Sequence, residues 1–251
     1  MKADSNRMEF VAHRGYAAHY PENTIISFEK ALETGCLFLE CDIQLSSDNI
    51  PVIIHDDNIF RTSGQHGKVK DMTAKELSRT NVGEPSRFGA KFNDSPVPML
   101  SEIIPLLRSN PKAKIFVELK EESLAHFGID FMVGKVLDVL APVKEQCLII
   151  SFNYQSLESA RRQGWNETGW VLESWNEESR MMAKKLSPSY LICNYRKIPP
   201  EKENIWPGPW EWFLYEITDI DVALRWNRLG VRYIETMEAG EMIESLKRKG
   251  S

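Results

Sequence analysis

The sequence predicts an α/β fold, a (β/α)8 TIM barrel with a small insertion after the second barrel strand. Three observations point there. Short apolar runs alternate with longer stretches of helical periodicity, eight such runs can be counted, and 251 residues suit one large barrel better than two ordinary domains. The chain is therefore read as one domain over 1–251, interrupted by an inserted region at about 56–98.

Taken in order, the barrel strands are expected to end near His13, Asp42, Lys120, Phe152, Glu173, Asn194, Thr218 and Thr236. Helices are expected over 24–34, 101–109, 128–140, 155–163, 176–186, 220–229 and 239–249. The first should start at Pro21-Glu22-Asn23-Thr24, with Asn23 as its N-cap and Glu22 unassigned. Segments 37–45 and 50–55 both read as strands, and the gap between them is too short for a parallel crossover, so they form an antiparallel hairpin. Pairing Ser46 with Pro51 across a four-residue loop sets Asp42 opposite His55. Between Asp56 and Pro98 the alternation fails in a stretch rich in Gly, Ser, Asn, Asp and charge, read as an insertion near the barrel mouth. In the aromatic loop at 205–212, Trp206 and Trp212 are assigned to packing over the barrel.

The chemistry-bearing residues fall at strand ends. Alternate residues of a strand share a face, so Glu40 and Asp42 point the same way, as do Glu118 and Lys120. Carboxylates that share a face repel, and a hard divalent cation such as Mg²⁺ or Ca²⁺, which prefers oxygen ligands, relieves this. An ion pair of structural value alone fits the Glu118/Lys120 spacing equally well. His13, Glu40, Asp42, Glu118 and Lys120 all occupy C-terminal strand ends, where barrel enzymes carry their chemistry. Two imidazoles, His13 and His55, with three carboxylates and the cations Arg14 and Lys120 suit hydrolytic phosphate chemistry. His19, His66 and His126 are placed on the surface and Met181 and Met182 in the core, while Asp56 either faces away from His55 as a strand residue or braces the turn.

The run His13-Arg14-Gly15, followed by Pro21-Glu22-Asn23-Thr24 with Ser27-Phe28, Glu40-x-Asp42, Ser47-Asp48 and Pro51-Val52-x-x-His55-Asp56, closely resembles the glycerophosphodiester phosphodiesterases. Arg61-Thr62, 97–102, Glu118-Leu119-Lys120 and Ser151-Phe152 continue the match, which is dense from about Val11 to Phe152. The resemblance implies barrel closure and hydrolysis of a small-molecule glycerophosphodiester to glycerol 3-phosphate and an alcohol. It also implies catalytic roles for His13 and His55, one divalent metal ion (Mg²⁺ or Ca²⁺) on Glu40, Asp42 and Glu118, and phosphate contacts from Arg14 and Lys120. The last third departs from the pattern. Where the family commonly has W-T-V-N this chain has Tyr215-Glu216-Ile217-Thr218, which makes Tyr215 the expected substrate-side aromatic. The usual G-V-D-G-I-I-T-D becomes 230–237, adding Glu235 and losing the final acid. Glu216 and Glu235 are thus new carboxylates near the mouth, either altering alcohol selectivity or merely exposed. A lysophospholipase D-like lipid phosphodiesterase and a non-catalytic phosphodiester-binding protein are the competing expectations. The first lacks an evident basic amphipathic anchor, and the second sits poorly with all five histidines and carboxylates being present.

Composition fits a soluble globule, 42% apolar and 27% charged. A net charge of -5 gives no footprint for nucleic acid or anionic lipid, and no apolar run suggests stable membrane insertion. The start of the chain lacks the apolar core of a secretory leader, so a cytoplasmic location is expected. Cys36, Cys41, Cys147 and Cys193 show no metal or redox spacing and are read as free, mostly buried thiols. The sequence sets neither the oligomeric state, nor the metal, nor the alcohol.

Overall fold

The computed structural model describes residues 8–199 and 205–249. The first seven residues, on which most of the leader reading rests, lie outside them. Eight parallel strands close into a barrel: β1 Glu9–Ala12, β2 Phe38–Leu45, β4 Lys114–Leu119, β5 Cys147–Ser151, β6 Thr168–Val171, β7 Tyr190–Asn194, β8 Glu211–Tyr215 and β9 Val231–Thr236, with β3 Pro51–Ile53 antiparallel on β2. The order is β1-β9-β8-β7-β6-β5-β4-β2, and β1 pairs with both β9 and β2, which shuts the sheet on itself. The expected strands are all present, although β6 and β8 end earlier than the predicted Glu173 and Thr218.

Strand alternation divides the barrel into two kinds of packing. Leu39, Cys41 and Ile43 of β2 point outward into the large core shared with the helices, while Val11, Phe116, Tyr190, Phe213 and Tyr233 fill the inside. The Phe116 ring is fully buried and meets Tyr190, Phe213 and Tyr233 edge-on, with centroids at 5.2, 4.9 and 5.9 Å. This aromatic plug occupies the barrel beneath the functional layer. Two residues farther along their strands stand Glu118, Tyr215 and Glu235, and β2 carries Asp42 opposite Glu118 with Glu40 two residues before it.

The helices follow the periodicity closely, and an additional one, Glu121–Phe127, leaves β4 directly after Lys120. Thr24, not Asn23, caps the first helix: its hydroxyl accepts from the Ser27 N–H. Asn23 instead adopts φ 56, which an asparagine tolerates and which turns its side chain away from the helix.

The hairpin is one residue tighter than expected. Leu45 pairs with Pro51, and the Ser46 N–H donates to Ile50 O, leaving a three-residue loop with Asn49 at φ 63. A three-residue loop ending in a left-handed residue is a common hairpin solution, and Asn49 supplies that residue. Asp42 therefore faces Ile54, whose N–H donates to Asp42 O, and His55 lies past the end of β3.

From Ile54 to Met99 the chain forms short helical turns and bridges around an apolar cluster of its own, including Ile59, Val69, Leu77, Val82 and Val97. The Asp48 carboxylate accepts from Ala74 N–H (2.8 Å) and the Glu84 carboxylate from Glu22 N–H (2.7 Å), so the segment is tied to both the hairpin and the loop after β1. Trp206 stacks on Trp175 at 4.0 Å and accepts at its carbonyl from Trp212 Nε1, which makes both tryptophans packing residues.

Candidate active site

Backbone shape at His13-Arg14-Gly15 comes first. Arg14 (φ 55) and Gly15 (φ 83) are consecutive left-handed residues that turn the chain sharply off β1. A Cβ at Gly15 would stand 2.2 Å from Ser27 Oγ, so glycine alone fits. The turn aims the Arg14 N–H at Glu40 Oε2 (3.0 Å) and lets the Arg14 carbonyl accept from Asn23 N–H and Ser27 Oγ–H.

Glu40 and Asp42 of β2 and Glu118 of β4 form the centre, with Asp42 and Glu118 in register across the two strands. One carboxylate oxygen of each lies within 4.8 Å of the others. Lys120 Nζ donates to Glu118 Oε1 (2.8 Å) and stands 3.3 Å from Asp42 Oδ1. Arg14 Nη1 donates to Glu22 (3.0 Å), while its Nε, 3.2 Å from Asp42 Oδ2, is buried without a hydrogen-bond acceptor. Burial opposes charge on Asp42, yet Arg14, Lys120, His55 and the Asn23 amide together hold it well below the usual carboxylate range. Burial raises Glu40 and Glu118, with neighbouring carboxylates adding to the effect. Three crowded oxygen donors, two of them pushed toward protonation, are the donor set a hard divalent cation fits.

The two histidines flank this centre, and each has a carboxylate on Nδ1. His13 Nδ1 is 2.8 Å from Glu216 Oε2, whose other oxygen accepts from Met237 N–H (2.8 Å); Nε2 lies 4.0 Å from Glu40 Oε2. Burial disfavours the imidazolium, but Glu235, the hydrogen bond to Glu216 and Glu40 outweigh it and raise His13 to about 10. His55 Nδ1 is 2.6 Å from Asp56 Oδ1. Arg61 grips Asp56 through Nε (2.7 Å) and Nη2 (3.1 Å) and also makes two bonds of 2.7 Å to Glu22. A continuous line of ion pairs thus runs from Arg14 through Glu22, Arg61 and Asp56 to His55. Asp56 faces His55 rather than away, because the chain has already left the strand where alternation would apply.

The structure brings together His13, His55, Arg14, Lys120, Glu40, Asp42 and Glu118. Tyr215 is half-buried at the end of β8 and packs on the barrel-lining cluster beside Phe38 and Phe152. Four supporting residues escaped the sequence reading. Asn23 donates to Asp42 Oδ2 (2.8 Å) and accepts from Asp42 N–H (3.2 Å), Glu22 joins two arginines, Glu216 holds His13, and Glu235 is buried inside the barrel rather than exposed at its mouth. The adjacent His55-Asp56 pair and the arginine five positions on were the available signal for Asp56.

The model of the glycerophosphoryl diester phosphodiesterase family matches residues 13–197, nearly the whole span that holds this constellation. The chain belongs to that family. A glycerophosphodiester phosphodiesterase of Caldanaerobacter subterraneus subsp. tengcongensis is 32% identical over 186 residues, covering 72% of this chain and 75% of the relative. One of Bacillus altitudinis is 34% identical over 146 residues, 58% of each chain. Among solved structures, an Oleispira antarctica phosphodiesterase in complex with the product sn-glycerol-3-phosphate superposes with a TM-score of 0.82 at 24% identity, over 97% of this chain and 98% of that one. That likeness shows the barrel fold. The family match ends before β8 and β9, so Tyr215, Glu216 and Glu235 lie outside it.

Proposed function

We propose that this family member hydrolyses glycerophosphodiesters to glycerol 3-phosphate and an alcohol, with a divalent cation on Glu40, Asp42 and Glu118 and with His13 and His55 as paired proton carriers. The observation that carries the reading is the pair of carboxylate-backed histidines, His13 on Glu216 and His55 on Asp56, on either side of three crowded carboxylates. The names of the relatives support the substrate class.

A phosphodiester resists attack because its anionic oxygens repel the nucleophile, and because the departing alkoxide needs a proton. A bound divalent cation supplies Lewis acidity toward a phosphoryl oxygen. Arg14, held beside the centre by Glu22 and Asp42, offers positive charge to another phosphoryl oxygen, and Lys120 adds to it from the Glu118 side. With Nδ1 bound to a carboxylate, each imidazole presents Nε2 for proton transfer: one histidine takes the proton of the nucleophile and the other gives one to the leaving oxygen. Tyr215 provides an aromatic wall with a hydroxyl at the mouth. Among the described residues no helix is long and apolar enough to cross a membrane.

The test is release of glycerol 3-phosphate from a panel of deacylated phospholipids and lysophospholipids, with and without chelator. Glu40→Gln, Asp42→Asn and Glu118→Gln should each weaken metal binding and abolish turnover in a folded protein. Full activity after exhaustive chelation would remove the metal from the reading, and activity confined to lysophospholipids would replace its substrate.

A further inference from the structure

Beside the carboxylate centre the barrel holds a second group of donors. Glu235 of β9 is 5% exposed, and its carboxylate has no hydrogen bond or ion pair among the described residues. One ligand atom each of His13, Glu40 and Glu235 lies within 4.8 Å of the other two. The His13 ring is not free to turn away: Glu216 holds Nδ1 at 2.8 Å and is itself fixed by Met237 N–H, so Nε2 faces the group, 4.0 Å from Glu40 Oε2. A carboxylate behind one imidazole nitrogen, with the other nitrogen turned toward further donors, is how proteins orient histidine toward a metal. Burial makes the Glu235 charge costly, the positive groups facing it are His13 and Arg14 without a hydrogen bond to either, and a bound cation or a proton relieves the cost. In the family pattern the position of Glu235 is an isoleucine, so the donor set is a property of this chain.

We propose that His13 Nε2, Glu40 and Glu235 form a second cation site, sharing Glu40 with the carboxylate centre and selective for a borderline divalent ion of the zinc type. One imidazole nitrogen with two carboxylates is a donor set for Zn²⁺ or Co²⁺, whereas Mg²⁺ and Ca²⁺ prefer the all-oxygen group next to it. An ion here occupies the nitrogen lone pair that His13 needs for proton transfer. Filling the site therefore stops turnover, a consequence that rests on the role given to His13 above. The competing occupant is a proton on Glu235, which leaves a single cation per chain.

Metal-stripped protein is dialysed to equilibrium against Zn²⁺ at pH 7.5 and the bound metal is counted, with Co²⁺ absorption reporting nitrogen ligation. The wild type should hold two ions and Glu235→Ile, which restores the family residue, one; Glu235→Gln serves as the isosteric control. Glu118→Gln should keep one ion together with the Co²⁺–imidazole signature, and adding Glu235→Ile to it should weaken that ion at least tenfold. One ion in the wild type, lost with Glu118→Gln and kept with Glu235→Ile, overturns the proposal. One ion lost with Glu235→Ile and kept with Glu118→Gln sustains it and removes the carboxylate centre instead, and no bound ion removes both. Zn²⁺ added to enzyme in excess Mg²⁺ should inhibit the wild type at least tenfold more strongly than Glu235→Ile. Equal inhibition alongside a lost ion would leave the site standing and take the proton-carrying role from His13.

Discussion

Asn23 brackets Asp42: its amide nitrogen donates to Oδ2 at 2.8 Å, while its amide oxygen accepts from the backbone N–H of the same residue at 3.2 Å. Both contacts require the left-handed backbone at position 23, since a helical residue there would carry the side chain away from β2. Asn23→Gly keeps the backbone accessible and deletes the bracket. It should weaken metal binding roughly 10- to 100-fold, as loss of partners behind ligands does, with little change in thermal midpoint. Metal affinity equal to wild type in calorimetry would show that Asp42 holds its orientation unaided.

The two proton carriers can be assigned by leaving group. His13→Ala and His55→Ala should each cost about 10² to 10⁴-fold on a natural glycerophosphodiester. A nitrophenolate scarcely needs protonation, so the variant lacking the acid should recover on that substrate alone. Recovery of both, or of neither after equal losses, contradicts complementary roles.

Glu216 should set the charge state of His13. In metal-free protein the folded His13 value, about 10, lies above the ordinary 6.5. The charged imidazole therefore adds stability fully below pH 6.5, and this fades as pH rises through about 10. Glu216→Thr removes one of the contacts that raise His13, so the contribution should be lost at a lower pH. Histidine ring resonances followed by NMR titration check this, and an unshifted His13 curve in the variant would count against it.

The thiols should be silent in the native protein. Burial pushes Cys36, Cys147 and Cys193 up to about 12 and Cys41 well above the usual thiol range, so almost no thiolate exists at pH 8. A disulfide-exchange reagent at pH 8 should find no reactive cysteine until denaturant is added, after which all four in the sequence respond. Rapid reaction of any one without denaturant would contradict its burial.

The plug below the site should carry much of the barrel's stability. Phe116→Ala removes a fully buried ring in contact with four others and should cost about 3–5 kcal/mol in denaturant unfolding. A cost below about 1 kcal/mol would mean that the barrel interior collapses around the cavity.

Strand periodicity made most of the centre readable, because Glu40, Asp42 and Glu118 follow apolar runs whose alternation fixes their direction. The hairpin register was not readable: it depends on whether the loop has three residues or four, and Asn49 in a left-handed conformation decided that. Asn23 was misassigned because asparagine before a helix suits a cap and a positive-φ turn equally, and Thr24 beside it took the cap. Asp56 was misread by extending strand alternation three residues beyond the end of β3. Glu216 and Glu235 departed from the family pattern, so their partnership with His13 emerged only when β8 and β9 were set beside β1.

Val11 lies opposite Glu235 and Ala12 opposite Thr236, so β1 finds its second neighbour in β9. During synthesis His13 leaves the ribosome 203 residues ahead of Glu216, which holds it, and Met237 follows later still. Until then the nascent sheet has two open edges, β1 and β8, each able to pair with another chain. A chain cut before β9 is complete should therefore yield aggregates rather than a weakened enzyme, so that activity arises only in whole barrels.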